Sequence, residues 1–496
     1  MSSSIVGIED PPGRKVDSVG ICPGHRLPFS RRPRRHSWRS GSGRLPRLPD
    51  AACTSVYHKL LIVLNRGMLS VMKRIPAHFR HNFLVLLTDY VFFGVAYAFL
   101  NPNTVLPSFA RTLTDLEPLI GMVPTVMAAG WLLPQLGAAA WFGKASRKKP
   151  YLLRAIYTGR PVYFLLAFLI WAGLPRYRSL MLVVFLAGLL YFNVLDGIAS
   201  VAWFDLLAAT IPMEHRGRLA GIAQFLSGVL SIGVGGLVGM ILSSPSLPYP
   251  HNYALLFLAS GLALLPSTIA LTLLKEPAPP ENTVPPQEVR SKSSDFLQQL
   301  RGVWREDRNF RRLVFTRWLV GLFGLSLPFY ILHAREVVGL PQAMTGWFVS
   351  AQMVGGIAAS IGLGWMSTRI GPRPVIWIGA LNALLSPLIA LLVHLYPAGW
   401  ALYIYPLVYF CFGITNNTWM LGAFNYLLEM APEESRPLFV GLYNTLGGLL
   451  IPVSLVGGAI LRATSYPFLF LLTALGVALG LWVSLGLQDS RRKSAP

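Results

Sequence analysis

The chain has 496 residues, 53% hydrophobic and only 13% charged, where a soluble domain carries roughly a quarter charged residues. That balance excludes an ordinary soluble domain. The formal charge of +22 does not point to nucleic acid either, because beyond the Arg-rich first 75 residues the basic residues gather in connections between apolar runs. Three cysteines, Cys22, Cys53 and Cys411, have neither metal nor disulfide spacing.

Residues 1–75 are rich in Arg, Pro and Ser and show no apolar period, so they are expected to be disordered. Two other readings of this segment stay open. It is Arg- and Ser-rich and poor in acids, as an organellar transit peptide is. Alternatively, it is an extension upstream of a true start at Met68 or Met72. A secretory signal is excluded, because no apolar segment follows the arginines.

From Phe83 onward, apolar runs long enough to cross a hydrocarbon core follow one another. They are expected at 83–102, 118–141, 151–173, 180–207, 218–243, 252–274, 313–332, 342–367, 374–396, 400–428, 437–461 and 465–487. The fold expected is an all-α polytopic membrane protein of about twelve helices. It divides into an N-terminal bundle (76–274), a linker (275–312), a C-terminal bundle (313–487) and a tail (488–496). The linker opens Pro-rich and closes with Phe296, Leu297, Leu300, Val303 and Trp304 at helical spacing, the pattern of an interfacial amphipathic helix.

Charge orients the chain. About twenty Lys and Arg fall in alternate connections, against about five on the other side (Arg111, Arg176, Arg178, Arg335, Arg462), which places both termini and the linker in the cytoplasm. The two halves also repeat. At an offset of about 220 residues, IPMEHRGRLAGIAQ aligns without a gap on APEESRPLFVGLYN, matching Gln224 with Asn444. A similar offset sets WFGKASRKKP on WMSTRIGPRP. Some transporters build parallel repeats of this kind around a site at the repeat interface.

These features carry a resemblance. With six spans on each side of the linker, the loop GWMSTRIGPRPV and the paired span-end signatures, the chain resembles the major facilitator superfamily from Phe83 to Leu487. The loop matches that family's pattern at Gly364, Arg369, Gly371 and Arg373, but Thr368 stands where an acid is usual. The first-half counterpart keeps only its basic run, including Arg147, Lys148 and Lys149. The resemblance implies solute translocation by rocking of two six-helix bundles. It also implies a cytoplasmic gate formed by these loop residues with Glu214, Arg216, Glu434 and Arg436. The fourth-span Arg of proton-linked members and the fifth-span Gly-Pro pair of antiporters are missing.

Ionisable groups at membrane depth are costly, by about 2.5–3.5 kcal/mol for Asp or Arg at mid-helix, and so mark candidate sites. Asp89, Asp196 and Arg317 each interrupt an apolar run. Asp89 and Arg317 are repeat mates of opposite charge, which predicts an ion pair in at least one conformation; snorkelling to headgroups is the structural alternative. Asp196 with Asn193, Asn416 and Asn417 forms an expected polar cluster on spans 4 and 10, and Asp196 is the candidate coupling carboxylate. Gln224, Asn444, Gln135 and Gln352 are further candidates, each equally readable as interhelical glue. His333 and His394 fall near span ends and are read as interfacial.

The chain from Met68 onward has no Walker loop, HExxH motif or Cys/His cluster. The expected partners are therefore a small-molecule solute, a coupling proton and the bilayer, for a monomer in a bacterial-type plasma membrane without cofactor, metal or nucleic acid. The alternative class is a non-transporting scaffold or receptor on the same fold.

Overall fold

The computed structural model describes residues 78–142, 145–277, 301–305, 307–432 and 435–489, all within the unit Arg74–Pro496. The N-terminal extension and most of the linker lie outside the described residues.

The first half comprises α1 (Phe79–Phe99), α2 (Val105–Leu113), α3 (Glu117–Phe142), α4 (Lys149–Gly159), α5 (Val162–Trp171), α6 (Arg178–Thr210), α7 (Met213–Ser243) and α8 (His251–Leu273). The second comprises α9 (Arg308–Gly321), α10 (Met344–Arg369), α11 (Pro372–Leu395), α12 (Pro406–Thr418), α13 (Asn425–Met430), α14 (Arg436–Gly447), α15 (Val453–Ala463) and α16 (Tyr466–Leu485). Among the described residues, eleven helical runs are long and apolar enough to span a membrane. The expected tenth span, 400–428, is helical but broken. A turn at Ala401–Ile404 precedes Pro406, and π-helical Trp419–Phe424 separates α12 from α13.

Breaks elsewhere have readable causes. Span 3 divides into α4 and α5 at Arg160-Pro161, where proline has no N–H to continue the ladder. Beyond α9, span 7 tightens into 3-10 turns around Gly324 and Pro328, then widens into a π-turn at His333–Val337. Of the expected amphipathic helix, 301–305 is helical; Trp304 lies near the rings of Phe315 and Trp318, at 6.0 and 6.2 Å.

Packing repeats between the halves. The first and last spans of each half pair, α1 with α8 and α9 with α16, and so do α3 with α6 and α10 with α12. An asparagine near the start of each half's first span clamps its first-to-last pair. Asn82 on α1 exchanges two hydrogen bonds with the Lys275 backbone (2.9 and 3.0 Å), and Asn309 on α9 accepts from the Gln488 N–H (3.1 Å). Residues such as Phe168, Val183, Leu475 and Trp482 stay exposed on the perimeter, as lipid-facing residues do.

The halves meet through α7 with α10 and α3 with α15. These contacts lie toward one end. There Gly346 sits against the Gly235 carbonyl so closely that a Cβ has no room, and Gly121 and Gly458 approach Ser454 and Glu117 in the same way. Toward the other end of α7 and α10, Gly217, Gly221, Gly362 and Gly364 face open space. The molecule is thus closed at the Glu117 end and open at the end that carries the basic loops.

Candidate functional site

Two cavities inside the described unit carry charged lining residues. The smaller, about 290 Å³, belongs to the first half and is lined by Asp89, Arg160, Asp196, Trp203, Phe93 and Trp131 among others. Asp89 is 5% exposed and fully engaged. Its Oδ1 lies 3.6 Å from Arg160 Nη2 and accepts from the Ser267 hydroxyl at 2.5 Å, while its Oδ2 accepts from the Trp203 indole N–H at 2.7 Å. Arg160 is 7% exposed, and its Nη1 also donates to Thr268 Oγ1 at 2.6 Å. Helix α1 supplies the anion, the Arg160-Pro161 break supplies the cation, and α6 and α8 supply the neutral donors.

Asp196 lines the same cavity, and Arg160 acts electrostatically on it as well as on Asp89. It receives no hydrogen bond from the described residues. One arginine therefore faces two carboxylates, one held by several donors and one held by none.

The larger cavity, about 470 Å³, is bounded by the second half and by α3. Arg317 reaches it, its Nη1 donating to the Tyr443 carbonyl at 2.6 Å and its guanidinium 4.5 Å from the Tyr443 ring centre. Asn416 and Thr316 line it too, among apolar residues including Val320, Phe323, Ile376 and Leu450. Trp131 borders both cavities.

In this structure Asp89 and Arg317 are not partners; each is satisfied within its own half. The expected four-residue polar cluster is likewise divided. Asp196 and Asn416 line different cavities. Asn193 is buried, with Nδ2 on the Leu189 carbonyl of its own helix and Oδ1 accepting from Tyr97 at 3.4 Å. Asn417 accepts from Ser360 at 3.4 Å and donates to the Gly413 carbonyl. Gln224 accepts from Tyr90, which lines the smaller cavity, and Asn444 is exposed on α14. Gln135 Nε2 is buried without a hydrogen-bond partner among the described residues. Gln352 accepts from Asn101 of the opposite half at 3.0 Å, a buried cross-half bond.

At the open end, the basic loops attach within their own halves. Glu276 accepts from the backbone N–H groups of Lys148 and Lys149 at 2.6 and 3.3 Å, and Lys148 Nζ lies 3.8 Å from Asp205. Lys149 Nζ donates to the Thr272 and Leu274 carbonyls, and Arg216 to those of Ile211 and Ala208. In the second half Arg373 donates to the Leu485 carbonyl and stacks on Trp377. Gly371 precedes α11 at φ +119°, a conformation that favours glycine. Arg147, Glu214 and Arg369 are exposed, Gly364 sits within α10, and Arg436 Nε is buried without a partner among the described residues. Glu434 lies outside the described residues.

At the closed end Arg111 and Arg462, counted above for orientation, join a charged network with Glu117 and Glu336. Arg111 Nε lies 2.6 Å from Glu336 and its Nη1 3.5 Å from Glu117, while Arg462 Nη1 lies 3.4 Å from Glu117. Arg111 and Glu117 come from the first half, Glu336 and Arg462 from the second, so three ion pairs tie the closed end and two of them cross the boundary. Beside it the interfacial reading of His333 is corrected. His333 is fully buried, hydrogen-bonded to Tyr405 at 2.9 Å and to His394 at 3.0 Å, because the π-turn carries it inward.

Two repeat-related helical halves, packed at one end over cavities that hold buried charged groups, are an architecture that some secondary transporters share. Residues 228–455, a little under half of the chain, match the Major Facilitator Superfamily model. A bacterial homologue of the iron transporter ferroportin in its inward-facing state is similar at TM-score 0.62 and 15% identity, covering 83% of this chain and 99% of the other. The D-xylose-proton symporter follows at 0.57 and 14%, covering 83% and 98%. An outward-facing ferroportin homologue gives 0.53 and 14%, covering 82% and 98%. At these identities the likeness defines the fold. No curated protein sequence matches the chain.

Proposed function

We propose that the chain carries a small solute across the membrane by alternating access and that a proton gradient drives it through the Asp89, Arg160 and Asp196 group. The observation that carries this reading is one buried arginine facing two carboxylates on a cavity of about 290 Å³, of which only Asp89 is held by donors among the described residues. With both carboxylates ionised the trio bears one net negative charge, which is costly to enclose in a low dielectric. A proton on Asp196 removes that charge. The deprotonated carrier then favours the state open to water, and protonation permits closure of the basic-loop end, taken here as cytoplasmic. Ion pairs at the opposite end hold that gate shut meanwhile.

Purified protein in proteoliposomes, offered a solute panel with and without an imposed proton gradient, tests the reading. Gradient-dependent accumulation of at least one solute is expected. Binding without translocation across the panel would favour a receptor instead.

A further inference from the structure

The larger cavity has a chemistry of its own. Its wall is chiefly apolar, with Val320, Phe323, Ile376, Leu450, Ile451 and Trp131 contributing. Its one cationic lining group is Arg317, and no Asp or Glu appears among its described lining residues. The carboxylates are segregated in the neighbouring cavity. The Tyr443 carbonyl and ring hold the Arg317 guanidinium at the wall. Next to it Thr316 is 4% exposed, and its hydroxyl is buried without a hydrogen-bond partner among the described residues. A buried hydroxyl left unpaired costs free energy that a ligand acceptor restores.

We infer that this cavity binds a small organic carboxylate with an apolar tail, its head on Arg317 and Thr316 and its tail against the wall bordered by Trp131 and Phe323. A guanidinium repels an amine and offers a carboxylate charge-assisted hydrogen bonds that an amide does not match. One lining cation suits a singly charged head; a phosphate monoester carries close to two negative charges near pH 7, which one guanidinium does not neutralise. The volume lies within the range of small-molecule sites. As a statement about the transported solute the inference rests on the translocation reading. As a binding site it stands separately.

The test uses full-length protein in detergent and four matched probes: 4-phenylbutyrate, 4-phenylbutanamide, 4-phenylbutylamine and 4-phenylbutyl phosphate, together with the shorter and longer homologues of each. Thermal unfolding is followed against probe concentration. Only the carboxylates are expected to raise the unfolding temperature. Their dissociation constant should weaken roughly tenfold or more in Arg317→Gln, less in Arg317→Lys, and by a few fold in Thr316→Val. If Arg317→Gln does not fold, the other two variants decide. Equal or better stabilisation by the amide, amine or phosphate overturns the inference, as does an affinity indifferent to these substitutions or silence from every carboxylate. Carboxylate binding without transport would remove the translocation reading and leave the site; transport of amines or neutral solutes without carboxylate binding would do the reverse.

Discussion

Arg111, at the end of α2, meets Glu336 of the opposite half at 2.6 Å, and Glu117 joins Arg111 to Arg462 beside it. These groups are partly exposed, so each pair contributes less than about 1 kcal/mol. Glu336→Gln is therefore expected to lower the population closed at this end by no more than about five-fold. The exchange Arg111→Glu with Glu336→Arg should restore part of it. Cysteine accessibility near Tyr466 measures the change, and equal labelling in all three proteins would remove the network from gating.

Asp89 and Arg160 are each buried, and removing one strands the other. Asp89→Asn is expected to cost about 3–5 kcal/mol of stability, because Arg160 is left uncompensated. The double variant Asp89→Asn/Arg160→Gln should be more stable than the sum of the single effects requires. Thermal unfolding of the four proteins in one detergent provides the cycle; strict additivity would show that the pair is not energetically coupled.

Asp196→Asn separates coupling from binding. The amide keeps the shape but cannot release a proton. Gradient-driven accumulation is expected to disappear while counterflow of the same solute persists. Unimpaired accumulation would eliminate Asp196 as the coupling group, and parallel loss of both activities with stability would assign it a structural role.

Close packing at the closed end predicts a contrast between two glycines on one helix. Gly346→Val places a side chain into the Gly235 carbonyl, so the closed end should no longer seat and transport should fall steeply. Gly362→Ala meets nothing within 4 Å and should be neutral or stabilising by up to about 1 kcal/mol. Transport rate and unfolding temperature, measured on both variants, check the pair; an active Gly346→Val protein would contradict the packing.

The spans were legible because a bilayer demands long apolar runs, and the repeat was legible because duplicated span ends retain recognisable sequence. Asp89 and Asp196 stood out for the same reason: a carboxylate in such a run is conspicuous. Partners were not legible. Nothing in the sequence pairs Arg160 with Asp89, 71 residues away; the break at Pro161 and the approach of α1 set them together. Opposite charge at repeat-related positions suggested Arg317 instead, but repeat symmetry relates places in two halves without bringing them together. The tenth span read as continuous because hydropathy does not register π-turns. Asn82 and Asn309 passed unnoticed, since an amide at a span end looks like any polar flank until its backbone partner, far along the chain, is in view.

Trp131 borders both cavities, so one side chain forms part of the wall of each. A wall shared in this way makes occupancy reciprocal. If a solute in the larger cavity moves the indole and changes how firmly Asp196 holds its proton, protonation must change solute affinity by the same factor. The size of that factor depends on how stiff one ring is between its neighbours. A smaller, looser side chain at residue 131 would let each cavity fill without regard to the other, turning an obligate exchange of information into two independent equilibria.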